Sequence, residues 1–214
     1  MKLFYYRLSR LIIGLSLCAF GIAITINANI GYAPWEVFHT GLAKVTGLSI
    51  GSIIIITTFL ICIIIVSIGE KIGMGTIFDV ILVGFFLDFF LSLPFLPIAN
   101  NLFIGIIMLF TGLSSISLGC YLYIGAGFGT GPRDALMVVL ARKTKLPIGF
   151  CRGTIEFIAV LIGWILGGMV GVGTVLSAFL IGIFIQLVFK IFKFDATEVH
   201  HETIDYTIKY LLAR

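Results

Sequence analysis

The residues best suited to chemistry fall in two short motifs, Gly31-Tyr32-Ala33-Pro34-Trp35-Glu36 and Gly129-Thr130-Gly131-Pro132-Arg133-Asp134. Glycine lets the backbone approach a partner closely, and proline is at home in the first turn of a helix. The acidic residue two places on lies in that first turn, where it complements the helix dipole. A helix that starts this way offers unsatisfied N–H groups to an anion or a polar solute. Gly31, Pro34 and Glu36 in one motif, and Gly129, Gly131, Pro132, Arg133 and Asp134 in the other, are therefore candidate binding residues. Arg133 would reinforce anion binding, and Trp35 stands in its place in the first motif. The same residues also suit a tight turn followed by a surface helix.

A second recurring motif reads Gly73-Met74-Gly75-Thr76 and Gly171-Val172-Gly173-Thr174. Thr76 and Thr174 can cap a helix or hydrogen-bond across helices. A close-packing turn accounts for the glycines equally well. Ionisable residues inside apolar segments are rare and read as functional by default. They are Asp79, Asp88, Arg152 and Glu156, of which Arg152 and Glu156 are spaced to pair on one helical face. Asp79 and Asp88, nine residues apart, face opposite sides of a straight helix. Buried structural hydrogen bonding competes with a functional role for each. No HExxH, GxSxG, Walker or dinucleotide motif is present, so catalysis and cofactor binding are not expected. His200-His201 beside Glu198 and Glu202 have no spacing that fixes a metal, and no metal site is expected.

The elements around these motifs follow from composition. The 214 residues are 60% hydrophobic and 11% charged, against about 45–50% and 25% in soluble domains. A soluble globule of this size cannot hide so much apolar surface. The chain reads as an all-α polytopic membrane protein, and a soluble enzyme, a nucleic-acid binder and a disordered chain are excluded. Apolar runs long enough to cross a bilayer lie at about 10–28, 50–69, 75–97, 101–126, 149–168 and 174–192. Segments 34–44 and 132–142 are too short and polar to span, and read as half-helices. The four cysteines, Cys18, Cys62, Cys120 and Cys151, lack metal or redox spacing and read as small apolar residues.

The chain also overlays itself at an offset of 98. From Leu11 to Phe86, 24 of 76 positions are identical to those 98 residues later, including eight glycines, Pro34 and Thr76. The duplicated unit occupies about 10–97 and 101–192 of a membrane domain at 1–194, followed by a tail at 195–214. Three spans per unit is odd, so the copies are expected to sit upside down relative to each other, as in many secondary transporters. With the N-terminus inside, thirteen of the fourteen Lys and Arg residues fall on the inner side and Lys44 alone outside, which is expected to place both termini on the cytoplasmic side. In the tail, Ile204, Ile208, Leu211 and Leu212 share one helical face, as in a surface helix.

On G-x-G-P-R-D-A-L at Gly129–Leu136, G-x-A-P-W-E at Gly31–Glu36 and Gly163-Trp164-Ile165-Leu166-Gly167-Gly168 leading into Gly171–Thr174, the chain resembles the YczE/YyaS/YitT-like group of bacterial membrane proteins. The likeness covers about residues 8–190 and is closer to the YczE branch. It implies a polytopic membrane fold and leaves the activity open.

These readings converge on a small secondary transporter or channel-like permease for a small polar or anionic solute. The solute would meet both half-helices, and Glu156 or Asp79 would carry a proton. The expected partners are the lipid bilayer and that solute, with a homo-oligomer allowed and nucleic acid not. The alternative is a non-transporting membrane component (a sensor, an assembly factor or a subunit of a larger complex), motivated by glycine-rich helix faces and the tail. A lipid-handling role is a third reading that the motifs do not separate from these.

Overall fold

In a computed structural model the described residues are 2–69, 72–146, 148–196, 199 and 202–203, less the side chains of 2, 3, 134, 148 and 149. The structure holds eight helices among them: α1 Lys2–Asn27, α2 Pro34–Thr46, α3 Ile50–Ser67, α4 Met74–Leu91, α5 Leu102–Ile124, α6 Pro132–Thr144, α7 Ile148–Ile165 and α8 Val172–Ile191. Five of them, α1, α3, α4, α5 and α8, are long and apolar enough to cross a membrane. The 18-residue α7 carries Arg152 and Glu156 and is not among those five. Large apolar side chains such as Phe85, Phe89, Phe157, Trp164 and Phe179 point outward and are more than half exposed. An apolar girdle of that extent on the outside of a helical bundle is a lipid-facing surface.

Local chemistry sets most of the helix ends. Pro34 and Pro132 occupy the first turns of α2 and α6. Ser49 and Asn101 cap α3 and α5, accepting hydrogen bonds from the Ser52 and Ile104 N–H groups at 3.1 and 2.9 Å. Two boundaries depart from the sequence expectation. The first helix reaches back to Lys2 rather than residue 10, and the part-buried Arg7 and Arg10 on it donate to carbonyls of Ala126 and Tyr121. The fourth stops at Leu91 rather than 97. Apolar residues continue beyond it, but Pro94 and Pro97 cannot carry a helix on.

Glycines make the helices meet. The seam between α1 and α5 runs antiparallel. A Cβ on Gly14 would lie 2.9 Å from the Gly119 carbonyl oxygen, and one on Gly21 2.6 Å from that of Gly112. Between these contacts, Ser115 Oγ donates to the Leu17 carbonyl at 2.9 Å and Cys18 Sγ to the Ile116 carbonyl at 3.6 Å. Against α7, α2 packs through Gly41 and Gly163. Gly51 of α3 and Gly84 of α4 face each other in the same way. By contrast, Gly153 and Gly182 face open space.

Each half-helix is preceded by an elbow. Gly31, at φ +109°, lies against Gly171, and Gly129, at φ +119°, against Gly73; both dihedrals favour glycine. The Gly173 N–H donates to the Ile30 carbonyl and the Gly75 N–H to the Phe128 carbonyl, both at 2.7 Å. The GxGT segment that opens α4 or α8 thus holds the elbow leading into the half-helix 98 residues away from its own.

Candidate functional site

A cavity of about 210 Å³ lies where the helices converge, and residues of all eight line it. The first turns of α2 and α6 both reach it, through Pro34, Trp35 and Glu36 on one side and Gly131 and Arg133 on the other. These turns touch: Arg133 Nη1 is 3.8 Å from Glu36 Oε1, and the guanidinium lies over the Trp35 ring, 5.1 Å from its centroid. Glu36 is 5% exposed, which takes a carboxylate almost wholly out of water and gives its cationic neighbour weight. Behind Trp35, the fully buried His39 stacks on the indole at 6.0 Å between centroids. Neither His39 nitrogen has a hydrogen-bond partner among the described residues.

The rest of the wall is mostly hydrocarbon, from Ile22, Ile54, Val83, Leu113, Ile181 and Ile185 among others, with polar groups at intervals. Asp79 enters from α4, and Arg152 and Glu156 from α7. Arg152 Nε donates to Glu156 Oε1 at 2.8 Å, one helical turn on. Thr58, Tyr123 and Ser177 add hydroxyls. The wall therefore presents three carboxylates and two guanidiniums to a space that would hold about seven waters at some 30 Å³ each.

Among the sequence-derived candidates, Pro34, Glu36, Gly131, Arg133, Asp79, Arg152 and Glu156 all border this space. Gly31 and Gly129 do not; they form the elbows behind it. Pro132 begins α6 just outside the lining, and the Asp134 side chain lies outside the described residues. Thr76 and Thr174 stand at the elbows too. Their hydroxyls accept from the Gly73 and Gly171 N–H groups at 3.3 and 3.1 Å, and Thr76 Oγ1 donates to the Thr130 carbonyl at 2.8 Å. Asp88 faces away from the cavity and anchors the start of α3, accepting from the Ser49 hydroxyl at 2.5 Å and the Gly51 N–H at 2.8 Å. An anion at a helix N-terminus is a stabilising arrangement.

Sequence reasoning passed over several groups. Tyr123, Cys18, Cys120, Thr58 and Ser177 reach the wall, and the offset itself held a signal for two of them: Thr58 is 98 residues before Glu156, and Ser177 is 98 after Asp79. Arg7 was also read only as a topological charge. It donates to the Ala126 and Gly127 carbonyls at 2.8 and 3.3 Å and pairs with Glu202 at 2.5 Å, while the Glu202 N–H donates to Gly127 at 2.9 Å. A short part of the tail thus rests on the elbow before α6. The proposed tail helix at 204–212 and the residues His200-His201 and Glu198 lie outside the described residues.

Residues 5–190 match a family described as a family of unknown function, DUF6198. The chain is 33% identical over 176 residues to the uncharacterised membrane protein YczE of Bacillus subtilis, covering 81% of this chain and 80% of that protein. It is 31% identical over 187 residues to an uncharacterised protein of Haemophilus influenzae, covering 87% and 85%. It is 30% identical over 190 residues to the uncharacterised protein YyaS of Bacillus subtilis, covering 87% and 92%. No solved structure matches the chain.

Proposed function

The chain belongs to the DUF6198 family of membrane proteins, and from that premise we propose that it is a small secondary transporter or channel-like permease. Its membrane domain consists of two inverted three-helix repeats, six spans in all with α7 as the sixth, each repeat interrupted by a half-helix. It resides in the plasma membrane of a bacterium with both termini in the cytoplasm. It moves a small polar or anionic solute by alternating exposure of the central cavity, as a carrier rather than an enzyme. Two features support the architecture. The bounds of α2 and α6, and of α3 and α7, differ by 98 at both ends. In the antiparallel seam Gly14 meets Gly119 and Gly21 meets Gly112, so each glycine of α1 faces the offset-98 counterpart of the other one.

The observation that carries the functional reading is the meeting of two half-helix tips, Glu36 with Arg133, at one central cavity whose largely apolar wall carries charged groups. Half-helix termini facing each other at a repeat interface are how inverted-repeat carriers bind solutes. The test is uptake or efflux by the purified protein in liposomes across a broad panel of small anions and metabolites. Flux that Arg133→Gln abolishes supports the reading. No flux for any solute, together with no thermal stabilisation by any, defeats it. The non-transporting alternative drew on exposed glycine-rich faces and the tail; Gly14, Gly21, Gly41, Gly51, Gly84, Gly112, Gly119 and Gly163 are engaged within the chain, while Gly153 and Gly182 face open space.

A further inference from the structure

The geometry points to a small monocarboxylate with an apolar body as the ligand of the central cavity, its carboxylate held by Arg133 and its body lying against the aliphatic wall. This rests on the cavity being the solute site of the permease reading.

A guanidinium carries five N–H donors in a planar fork, a shape that matches a carboxylate with two parallel hydrogen bonds. The Arg133 group lies over the Trp35 ring and lines the cavity, so the donors at its edge are the ones a ligand there would use. Among the described residues no acceptor takes a hydrogen bond from that edge. The Glu36 oxygen, at 3.8 Å, is near enough to balance charge and too far to accept a hydrogen bond. Arg152 is different, because its charge is already matched by Glu156, to which its Nε donates at 2.8 Å. Arg133 is therefore the guanidinium left to pair with a ligand, enough for one carboxylate.

The remaining wall excludes a second negative group. Away from Arg133 a ligand meets Ile54, Val83, Leu113, Ile116, Ile181 and Ile185, the carboxylate of Asp79, or the Arg152–Glu156 ion pair, whose charges offset each other. Hydrocarbon does not solvate a charge, and a carboxylate repels another anion. Size sets the upper bound. A cavity of 150 Å³ lined by aliphatic and aromatic residues holds benzene, so about 210 Å³ takes about eight non-hydrogen atoms. A branched short-chain acid and the matching small α-amino acid share this chemistry. They differ in whether an ammonium group is also present to meet Asp79.

The experiment is equilibrium binding to the purified full-length protein, by calorimetry and thermal shift, with four probes: isovalerate, valine, isobutylamine and succinate. Isovalerate or valine is expected to bind, and succinate and isobutylamine are not. If valine binds and isovalerate does not, the carboxylate comes from an amino acid; the reverse assigns a simple acid. Arg133→Lys keeps the charge and loses the fork, and is expected to weaken binding by about tenfold or more. Glu36→Gln removes the group that competes for Arg133 and is expected to tighten binding, a sign that a purely structural Arg133–Glu36 pair would not give. The proposal is overturned if neither carboxylate binds, if succinate or isobutylamine binds as well, or if affinity is unchanged in Arg133→Lys and falls in Glu36→Gln. Binding without flux in liposomes would sink the permease reading and leave this one standing. Flux of another solute class that is indifferent to Arg133 would do the opposite.

Discussion

Replacing Arg133 by Met is expected to destabilise the protein far more than replacing both Arg133 and Glu36. The two charges lie 3.8 Å apart, and Glu36 is almost fully buried. At that separation their attraction is about 4 kcal/mol at an effective dielectric constant of 20. Breaking a buried pair by removing one partner costs about 3–5 kcal/mol, because it strands the other charge. The Arg133 side chain is 26% exposed, so solvent already screens part of the pair, and about 2–3 kcal/mol is the figure to expect. For a chain of this length that lowers the melting temperature by about 5–10 °C. In Glu36→Gln the stranded group is the more exposed guanidinium, which keeps its contact with Trp35, and the loss is about 1 kcal/mol. The double variant Glu36→Gln/Arg133→Met strands neither charge and should recover most of what Arg133→Met loses. The assay is thermal unfolding of the four proteins in one detergent. The reasoning is refuted if the two single effects add to within about 0.5 kcal/mol, since independent sites behave that way, or if Glu36→Gln is the more damaging change.

Three further outcomes follow from the packing and the tail. Gly21→Ala and Gly112→Ala each push a methyl into the facing backbone of the α1–α5 seam and should cost about 1–3 kcal/mol. Gly182→Ala faces open space and should be neutral or stabilising by up to about 1 kcal/mol; melting curves of the three compare them. Lys145 ends α6 at φ +59°, where Gly47 ends α2 at φ +74°. Lys145→Gly should therefore stabilise the protein by about 0.5–1 kcal/mol and raise the melting temperature slightly, as the left-handed strain on lysine outweighs the added freedom of the unfolded chain. Glu202→Gln breaks a partly exposed ion pair with Arg7 and should move stability by less than about 1 kcal/mol, yet it should speed tryptic cleavage at Lys193 and Lys209; an unchanged cleavage rate counts against the tail contact.

Much of the fold was legible because the self-similarity at offset 98 supplied several boundaries twice. Pro34 and Pro132 start α2 and α6, and Ile50 and Ile148 start α3 and α7, so turn chemistry in one copy corroborated the other. Reading fell short where charge was used for topology alone. Arg7 and Arg10 were counted only as inner-side charges, while the structure gives them carbonyl acceptors on Ala126, Gly127 and Tyr121, more than 110 residues away. No local pattern can signal an acceptor at that separation. For the candidate site, the motifs pointed to the right elements without saying which residues face inward. Gly31, Gly129, Thr76 and Thr174 carry the strongest repeat signal, yet they build the elbows.

That last discrepancy has a physical logic. Eight pairs at offset 98 have both members on the cavity wall: Cys18 and Ile116, Ile22 and Cys120, Ala33 and Gly131, Trp35 and Arg133, Ile54 and Arg152, Thr58 and Glu156, Asp79 and Ser177, and Val83 and Ile181. None of these pairs is identical. Three identical pairs, Gly31 with Gly129, Gly73 with Gly171 and Thr76 with Thr174, meet backbone instead. A glycine pressed against a carbonyl has one acceptable residue in either copy, so the elbows tolerate no drift after duplication. A cavity wall has no such constraint, and two equal halves would face a solute with the same group twice. A ligand with one charged end and one apolar end needs unlike halves, and the change from Trp35 to Arg133 and from Ile54 to Arg152 provides them. Self-similarity therefore locates the scaffold of this chain, while departure from it locates the groups that would recognise a solute.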